Sequence, residues 1–354
     1  MLPAYLAVFS CGFVACWLIL MGARRFALRV GYVDIPNSRK LHKEPVPYGG
    51  GLAVFLTLSL LCLGYFTLAH LGLLSALPAG LEWSQLARDP QALAIAAGGA
   101  AIFLIGLVDD MLDLRPRTKL LLEIIALLVV LGFGPKMSFF SPSPWLGTVG
   151  TLFWLLLITN AFNLLDNMDG LCAGVSLVCL GVHFLLLHHG GQYLIATLTL
   201  LLAGPVLAFL LRNFPPAKLY LGDAGSLLLG YCVGQLSVLS TYYREGEALV
   251  SILTPVLILA IPLYDVATVM WIRFKTGQPF FKADRNHFSH RLLNLGLSPR
   301  QVLGTITALS LALGLSAMLL SHAGRLQSLA IFLQALLVIA VILILENAGL
   351  RKKG

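Results

Sequence analysis

The sequence predicts an all-α integral membrane protein that crosses the bilayer about eleven times, since each helical crossing needs roughly 20 mostly apolar residues. Of the 354 residues, 58% are apolar and only 11% are charged. Soluble domains carry about 25% charged residues, so water is not the main solvent of this chain. The apolar runs cover residues 3–22, 49–72, 91–108, 119–134, 147–163, 171–189, 192–211, 224–241, 249–272, 301–321 and 326–345.

The distribution of basic residues predicts the orientation in the membrane. Arg24, Arg25 and Arg29 follow the first run, and if sides alternate from there, 20 of the 24 Lys and Arg residues fall on one side. Basic residues accumulate in cytoplasmic loops, which places the N-terminus outside and the C-terminus in the cytoplasm. Contacts with anionic lipid head groups explain the net charge of +8 without a nucleic acid partner.

Acidic residues lie at the ends of the apolar runs on this same predicted side. An ionisable group at the edge of the hydrocarbon is costly, so it marks a functional site by default. Asp265 falls in the inner part of the ninth run. The others end the third run, end the fifth run or open the eighth: Asp109, Asp110, Asp113, Asp166, Asp169 and Asp223.

The adjacent carboxylates of Asp109 and Asp110 repel each other and need a counter-charge. Mg²⁺ binds through one or two carboxylates together with substrate phosphates, and Lys119 is close in sequence. Helical spacing would place Asp113 on the same face as Asp109. The alternative is a solvated helix end with local ion pairs, such as Lys119 with Glu123.

A polar stripe follows the fifth run, where Asn160, Asn163, Asp166 and Asp169 recur at every third residue. If this segment is helical, four amide and carboxylate groups align at the edge of an apolar helix and need partners. A second wall of a metal and phosphate site, facing Asp109 and Asp110, would supply them. A structural hydrogen-bond network between helices is the alternative.

Two more segments bring polar groups to this side. Asp223 stands among small residues at the start of a predicted helix, where backbone N–H groups favour phosphate. A capping Asp alone would be ordinary. The segment 282–291 contains His287, His290 and several cationic residues, a dense set of donors able to orient a diphosphate.

Together these segments resemble the polyprenyl-phosphate N-acetylhexosamine-1-phosphate transferase family, in particular its bacterial branch that uses UDP-N-acetylglucosamine. One position departs from that branch, because Ser289 stands where a His is common. The muramoyl-pentapeptide branch usually has a run of three His, which is absent here. The resemblance rests on 34–42 with Pro45, Pro47, Gly50 and Gly51, on Asp109-Asp110, and on 160–171, 221–226 and 284–292.

The resemblance implies that the phosphate of undecaprenyl phosphate attacks the β-phosphorus of a UDP-N-acetylhexosamine and releases UMP. Asp223 would bind Mg²⁺, or Mn²⁺ as an alternative ion, with Asn163 assisting. Asp109 and Asp110 would bind or deprotonate the lipid phosphate. The catalytic residues would be Asp109, Asp110, Asp166, His287 and His290. The substrate-binding residues would be Lys43, Lys119, Asn160, Asp169, Asn213, Tyr220 and Arg285, with uridine near Asn213, Asp169 and Tyr220.

The resemblance also implies one catalytic transmembrane domain over residues 1–354 in a bacterial inner membrane, with a homodimer as one plausible assembly. The active face would be cytoplasmic and formed by the inner loops 23–48, 109–119, 160–170, 212–223 and 273–300.

Two other classes of protein share single features with this chain. An intramembrane prenyltransferase could use the DDxxD pattern at 109–113 to hold a prenyl diphosphate through Mg²⁺, although this leaves the His287 segment and Asp223 unexplained. A proton-coupled transporter needs carboxylates near the middle of the membrane and repeated broken helices. The acids here lie at helix ends, and no such repeat is visible.

Overall fold

The computed structural model describes residues 1–34, 45–71, 89–137, 143–240, 242, 252–279, 286–320 and 323–351. Lys43 and Arg285, two predicted substrate-binding residues, lie outside these ranges. The described chain is mostly helical. Its helices are α1 Leu2–Val30, α2 Gly50–His70, α3 Pro90–Leu112, α4 Pro116–Phe133, α5 Pro144–Leu165, α6 Leu171–His189, α7 Tyr193–Asn213, α8 Gly222–Leu239, α9 Thr254–Ile258, α10 Ala260–Lys275, α11 Phe288–Asn294, α12 Pro299–Leu320 and α13 Arg325–Arg351.

Each predicted apolar run coincides with one helix, except that the run 249–272 contains both α9 and α10. Seven of the described helices are long and apolar enough to cross a membrane, and the part Gly50–Tyr65 of α2 is a shorter apolar stretch. Helix α4 carries Arg117, Lys119 and Glu123, and Asp223 lies in the first turn of α8. The chain is therefore a multi-pass helical membrane protein whose less apolar helices carry polar groups.

A small hairpin departs from the all-α prediction. Strand β1 Val33–Asp34 pairs antiparallel with β2 Val46–Pro47, and Tyr48 forms a bridge with Tyr220. Strands of two residues leave no periodicity in the sequence, so the apolar pattern could not reveal them. The hairpin ties the end of α1 to the segment that leads into α8.

Helix α8 lies at the centre of the bundle and packs against α2, α3 and α5. Glycines allow the close approach, as is usual between membrane helices. A Cβ at Gly51 would lie 2.4 Å from the Gly225 nitrogen, and one at Gly106 would lie 2.5 Å from the Asp223 carbonyl oxygen. This packing brings the end of α3 against the start of α8, where the predicted acids lie.

Candidate active site

Lys119 lies at the centre of the polar cluster. Its ammonium lies 2.8 Å from Asp109 Oδ2, 2.5 Å from Asp223 Oδ2 and 3.2 Å from Asn163 Oδ1. These groups come from the end of α3, the start of α4, the last turn of α5 and the start of α8. The four helix ends thus form a position for a cation lined by protein oxygens, and the predicted convergence of these segments is confirmed.

The pairing of Lys119 with Glu123 is not what the structure shows. Glu123 is fully buried in α4 and accepts a hydrogen bond of 2.5 Å from Asn160 Nδ2. Asn163 Nδ2 donates to Ser226 Oγ at 2.9 Å, which joins α5 to α8. Both amides of the predicted stripe therefore take part in contacts between helices. The amide oxygen of Asn163 also accepts a hydrogen bond from Lys119, so this oxygen is placed to bind a cation.

The helical stripe ends earlier than its spacing predicts. Helix α5 stops at Leu165, so that Asp166 is its C-cap and Asp169 follows in a turn. Helix α3 stops in the same way at Leu112, and the exposed Asp113 takes a left-handed conformation with φ 49°. Asp113 therefore does not continue the helical face that carries Asp109.

Asp110 caps the N-terminus of α8. Its Oδ1 accepts from the Asp223 N–H at 2.7 Å, and its Oδ2 accepts from the Ala224 N–H at 3.1 Å and from the Tyr32 hydroxyl at 2.7 Å. Gly222 makes this possible, because its φ is +74° and a Cβ there would lie 2.6 Å from Asp110 Oδ2. The first N–H groups of α8 thus bind a protein carboxylate rather than the phosphate expected from the sequence. These contacts favour a positioning role for Asp110 over direct contact with the lipid phosphate.

Asp166 has no hydrogen-bond partner for its carboxylate among the described residues. Burial raises the pKa of this carboxyl well above its usual range, and the negative charges of Asp223, Asp110 and Asp169 raise it further. A carboxylate that faces other carboxylates without a cation is a candidate ligand for one. Asp166 thus lies among the other acids, near the position that the sequence predicts for it.

We expect Asp166→Asn to stabilise the protein in buffer without divalent cations. A carboxyl whose pKa is higher in the folded state favours folding less as the pH rises above its unfolded value. The neutral amide does not titrate, so the gain in Tm over the parent protein should grow from pH 5 to pH 8. Thermal unfolding in detergent at both values measures this. An equal Tm difference at both values would contradict the electrostatic cause.

Asp169 and Asn213 hold the loop between α7 and α8. Asp169 Oδ2 accepts from the Ala217 N–H at 2.9 Å. Asn213 is buried, accepts from the Gly170 N–H at 2.7 Å and donates to the Leu219 carbonyl at 2.9 Å. Both the oxygen and the nitrogen of the Asn213 side-chain amide are thus hydrogen-bonded to backbone groups. These contacts favour a supporting role for Asn213 over the predicted contact with uridine.

Tyr220, like Asp169, remains partly exposed in the predicted uridine site. Its backbone N–H donates to the Pro47 carbonyl at 2.9 Å, and its ring lies 6.2 Å from the Tyr48 ring. Burial and the nearby charge of Asp169 raise the pKa of the Tyr220 phenol, so the phenol stays neutral. The two aromatic rings border the acidic cluster, where an aromatic base could stack.

His287, one of the two predicted histidines, is held by an acid to which the sequence assigns no role. Asp265 Oδ2 lies 2.9 Å from His287 Nδ1, and its Oδ1 accepts from the Phe288 N–H at 2.6 Å. The rings of His287 and His290 are 6.4 Å apart. A carboxylate at Nδ1 fixes the ring orientation of a histidine and leaves Nε2 for other contacts. The only sequence signal for Asp265 was its charge within an apolar run.

Ser289 connects the histidine segment to the acidic cluster. Its buried hydroxyl donates a hydrogen bond to Asn167 Oδ1, and Asn167 follows Asp166 directly. The residue that departs from the resembled branch is therefore part of the contact between the two halves of the site. A larger side chain at this buried position would have to displace its surroundings.

The donor set fits Mg²⁺. Among the described residues, no three His, Cys, Asp or Glu side chains converge to form a complete metal site. Zinc prefers three or four protein ligands, whereas Mg²⁺ uses one or two carboxylates, with water and substrate phosphates completing its octahedron. Asp223, whose side chain is 37% exposed, and the amide oxygen of Asn163 supply such a partial set.

Comparison with known proteins decides the family. The model of glycosyl transferase family 4 matches residues 92–241. A probable undecaprenyl-phosphate N-acetylglucosaminyl 1-phosphate transferase of Bacillus subtilis is 33% identical over 335 residues, which cover 92% of this chain and 87% of that protein. The chain belongs to the polyprenyl-phosphate N-acetylhexosamine-1-phosphate transferase family.

Other relatives in this transferase family agree. An undecaprenyl-phosphate alpha-N-acetylglucosaminyl 1-phosphate transferase of Yersinia pestis is 30% identical over 87% of this chain and 81% of that protein. A decaprenyl-phosphate N-acetylglucosaminephosphotransferase of Mycobacterium tuberculosis is 34% identical over 79% of this chain and 73% of that protein. Membership makes this chain a phosphotransferase.

The match to the family model runs from α3 to α8 and includes Lys119 with its three partners. It ends before the histidine segment, which the longer alignments with the relatives bring in. Membership in this family also argues against the prenyltransferase alternative. That alternative uses the DDxxD pattern, with Asp113 beside Asp109. In the structure Asp113 is the C-cap of α3, and its left-handed conformation takes it off the helical face of Asp109.

Proposed function

We propose that this chain transfers N-acetylglucosamine-1-phosphate from UDP-N-acetylglucosamine to undecaprenyl phosphate and starts the synthesis of a lipid-linked glycan. The names of the relatives from Bacillus subtilis and Yersinia pestis support the sugar phosphate and the lipid. The structural observation that carries the proposal is the Lys119 cluster, where four helix ends bring acidic and amide oxygens around one cation.

In this reaction an oxygen of the lipid phosphate forms a bond to the β-phosphorus of the nucleotide sugar. The bond from that phosphorus to the bridging oxygen breaks, and UMP leaves with the oxygen and the electron pair. Two anions must meet, so catalysis depends on neutralising and aligning them. Bound Mg²⁺ would supply charge stabilisation at the diphosphate, with Asp223 and Asn163 as its protein ligands.

The other residues of the cluster have separate roles in this proposal. Lys119 neutralises Asp109 and Asp223. Its ammonium contacts the oxygens of Asp223 and Asn163, the two residues that would bind the metal. Asp109 accepts a proton from the lipid phosphate or orients it, and Asp110 fixes the start of α8. Asp166 supports the metal position with its carboxylate.

The nucleotide sugar lies between the cluster and the histidine segment. His287 and His290 hold phosphate oxygens, with Lys43 and Arg285 contributing from segments outside the described residues. Tyr220 stacks on uracil, and Asp169 orients the loop beside it. Asn160 supports this arrangement through Glu123.

The proposal includes a place in the cell. The chain crosses a bacterial inner membrane eleven times, in line with roughly 20 apolar residues per crossing, with its N-terminus outside and its C-terminus in the cytoplasm. The positive-inside distribution supports this orientation and puts the Lys119 cluster on the cytoplasmic face. The lipid then enters from the bilayer and the nucleotide sugar from the cytoplasm. A homodimer is compatible with this arrangement.

Product analysis tests the function. The purified protein is incubated with undecaprenyl phosphate, Mg²⁺ and a panel of UDP-sugars, and UMP is measured. We expect UMP release with UDP-N-acetylglucosamine and loss of release after chelation of divalent cations. Pyrophosphate release from a prenyl diphosphate would support the prenyltransferase alternative instead. Absence of turnover with every UDP-sugar would contradict the proposal.

A further inference from the structure

A buried ion pair joins the histidine segment to the C-terminal helix. Arg291 Nε of α11 lies 2.9 Å from Glu346 Oε1 of α13, and the two side chains are only 10% and 7% exposed. The same guanidinium donates to Thr268 Oγ1 of α10 at 2.9 Å and to the Asn286 carbonyl. Its charge is thus paired inside the protein, and both terminal nitrogens donate to protein oxygens.

Aromatic contacts complete this network. The Arg291 guanidinium lies 5.8 Å from the centres of the Tyr264 and Phe288 rings. The Tyr264 hydroxyl donates to Glu346 Oε2 at 3.0 Å. A planar guanidinium suits such contacts with aromatic rings. Arg291 was counted among the donors for a diphosphate in the sequence, but these contacts make it a structural link.

The link ends at the predicted phosphate-binding histidines. Arg291 N donates to the His287 carbonyl at 3.0 Å, so Arg291 lies one helical turn after His287. Asp265 of α10 holds the His287 ring. Helix α11 has seven residues and is too short to be stable alone. Its orientation therefore depends on its neighbours: it packs against α12 and α13, and side chains of α10 bind it as well.

We propose that Glu346, in the C-terminal helix, is a positioning residue that holds His287 and His290 in place through Arg291. The activity readout of this proposal rests on the proposed function, whereas its structural readout does not. Glu346 lies outside the part of the chain that the family model matches. The C-terminal helix is then a part of the active site rather than a membrane anchor only.

The first test is the chemical reactivity of His287. The parent protein, Glu346→Gln and the control Gln334→Ala are treated with diethyl pyrocarbonate in detergent, and modification of the His287 peptide is followed by mass spectrometry. The His287 side chain is 7% exposed, so we expect slow modification in the parent. We expect it to be several-fold faster in Glu346→Gln. Gln334 lies in the same helix, about 18 Å along its axis, and contacts Ser316 of α12 instead. Its variant should react like the parent.

The second test is a double-mutant cycle on UMP release. We expect Glu346→Gln to lower kcat by about tenfold or more, because small displacements of positioned groups have large effects on rate. In the His287→Ala/His290→Ala background, the same substitution should change the remaining rate by less than about twofold, since coupled residues are not additive. An equal loss in both backgrounds would show a merely structural role and overturn the proposal.

A further variant protects the test against misfolding. Loss of one partner leaves an uncompensated buried charge, so Glu346→Gln could fail to fold. The double variant Glu346→Gln/Arg291→Gln removes both charges and is then measured in its place. Unchanged His287 reactivity in the folded variant would overturn the proposal. If the parent protein shows no turnover, the proposed function fails, and the reactivity test still decides the role of Glu346.

Discussion

Replacing Asp223 with Asn is expected to lower kcat for UMP release by about 10³-fold, the scale on which a single electrostatic group contributes to catalysis. The substitution keeps the size of the side chain but removes one negative charge from the cation position around Lys119. The Asp223 side chain is also more exposed than that of Asp109, at 37% against 11%. The loss should therefore come with a higher Mg²⁺ requirement, measured by titrating Mg²⁺ at saturating substrates.

Two controls separate this effect from misfolding. The backbone N–H of Asp223 donates to Asp110 and is retained in the variant, so Tm should stay close to that of the parent. Asp113→Asn removes a charge from an exposed acid just after the C-terminal end of α3, close in sequence to Asp109 and Asp110. This variant should leave the rate nearly unchanged. A rate for Asp223→Asn within about twofold of the parent would remove Asp223 from the metal site.

Replacing Lys119 with Met is expected to lower kcat by about 10²-fold or more. The ammonium is the one group that contacts Asp109, Asp223 and Asn163 together within the described part of the chain. Without it, two carboxylates face each other across the site and repel. Tm should therefore fall in buffer without divalent cations and recover in part when Mg²⁺ is added, because the metal replaces the lost charge.

Lys136→Met is the matched control for this variant. Lys136 follows the C-terminal end of α4 and is exposed, whereas Lys119 lies near its N-terminal end. Its substitution therefore tests the loss of a lysine that does not contact the acidic cluster. We expect parent-like rates and an unchanged response of Tm to Mg²⁺. If Lys119→Met keeps the parent rate, the Lys119 cluster is structural and the observation that carries the proposed function no longer supports it.

The sequence by itself determined the helical elements, and it predicts the side of the membrane on which the site lies. Apolar runs interrupted by charge define the helices, because lipid tolerates few other structures. Acids at the ends of these runs are exceptional in such a chain, so Asp109, Asp166 and Asp223 could be selected without any contact. Their order along the chain also carried the resemblance to the transferase family.

Only the tertiary structure decided which polar groups meet. Asp110 accepts a hydrogen bond from a backbone N–H 113 residues later, Asn213 closes a loop, and Arg291 pairs with Glu346 rather than remaining free for a phosphate. Local spacing misplaced Asp113 because α3 ends before it. The physical reason is range: periodicity and charge act within a few turns of one helix, whereas a hydrogen bond of about 3 Å depends on how helices distant in sequence pack.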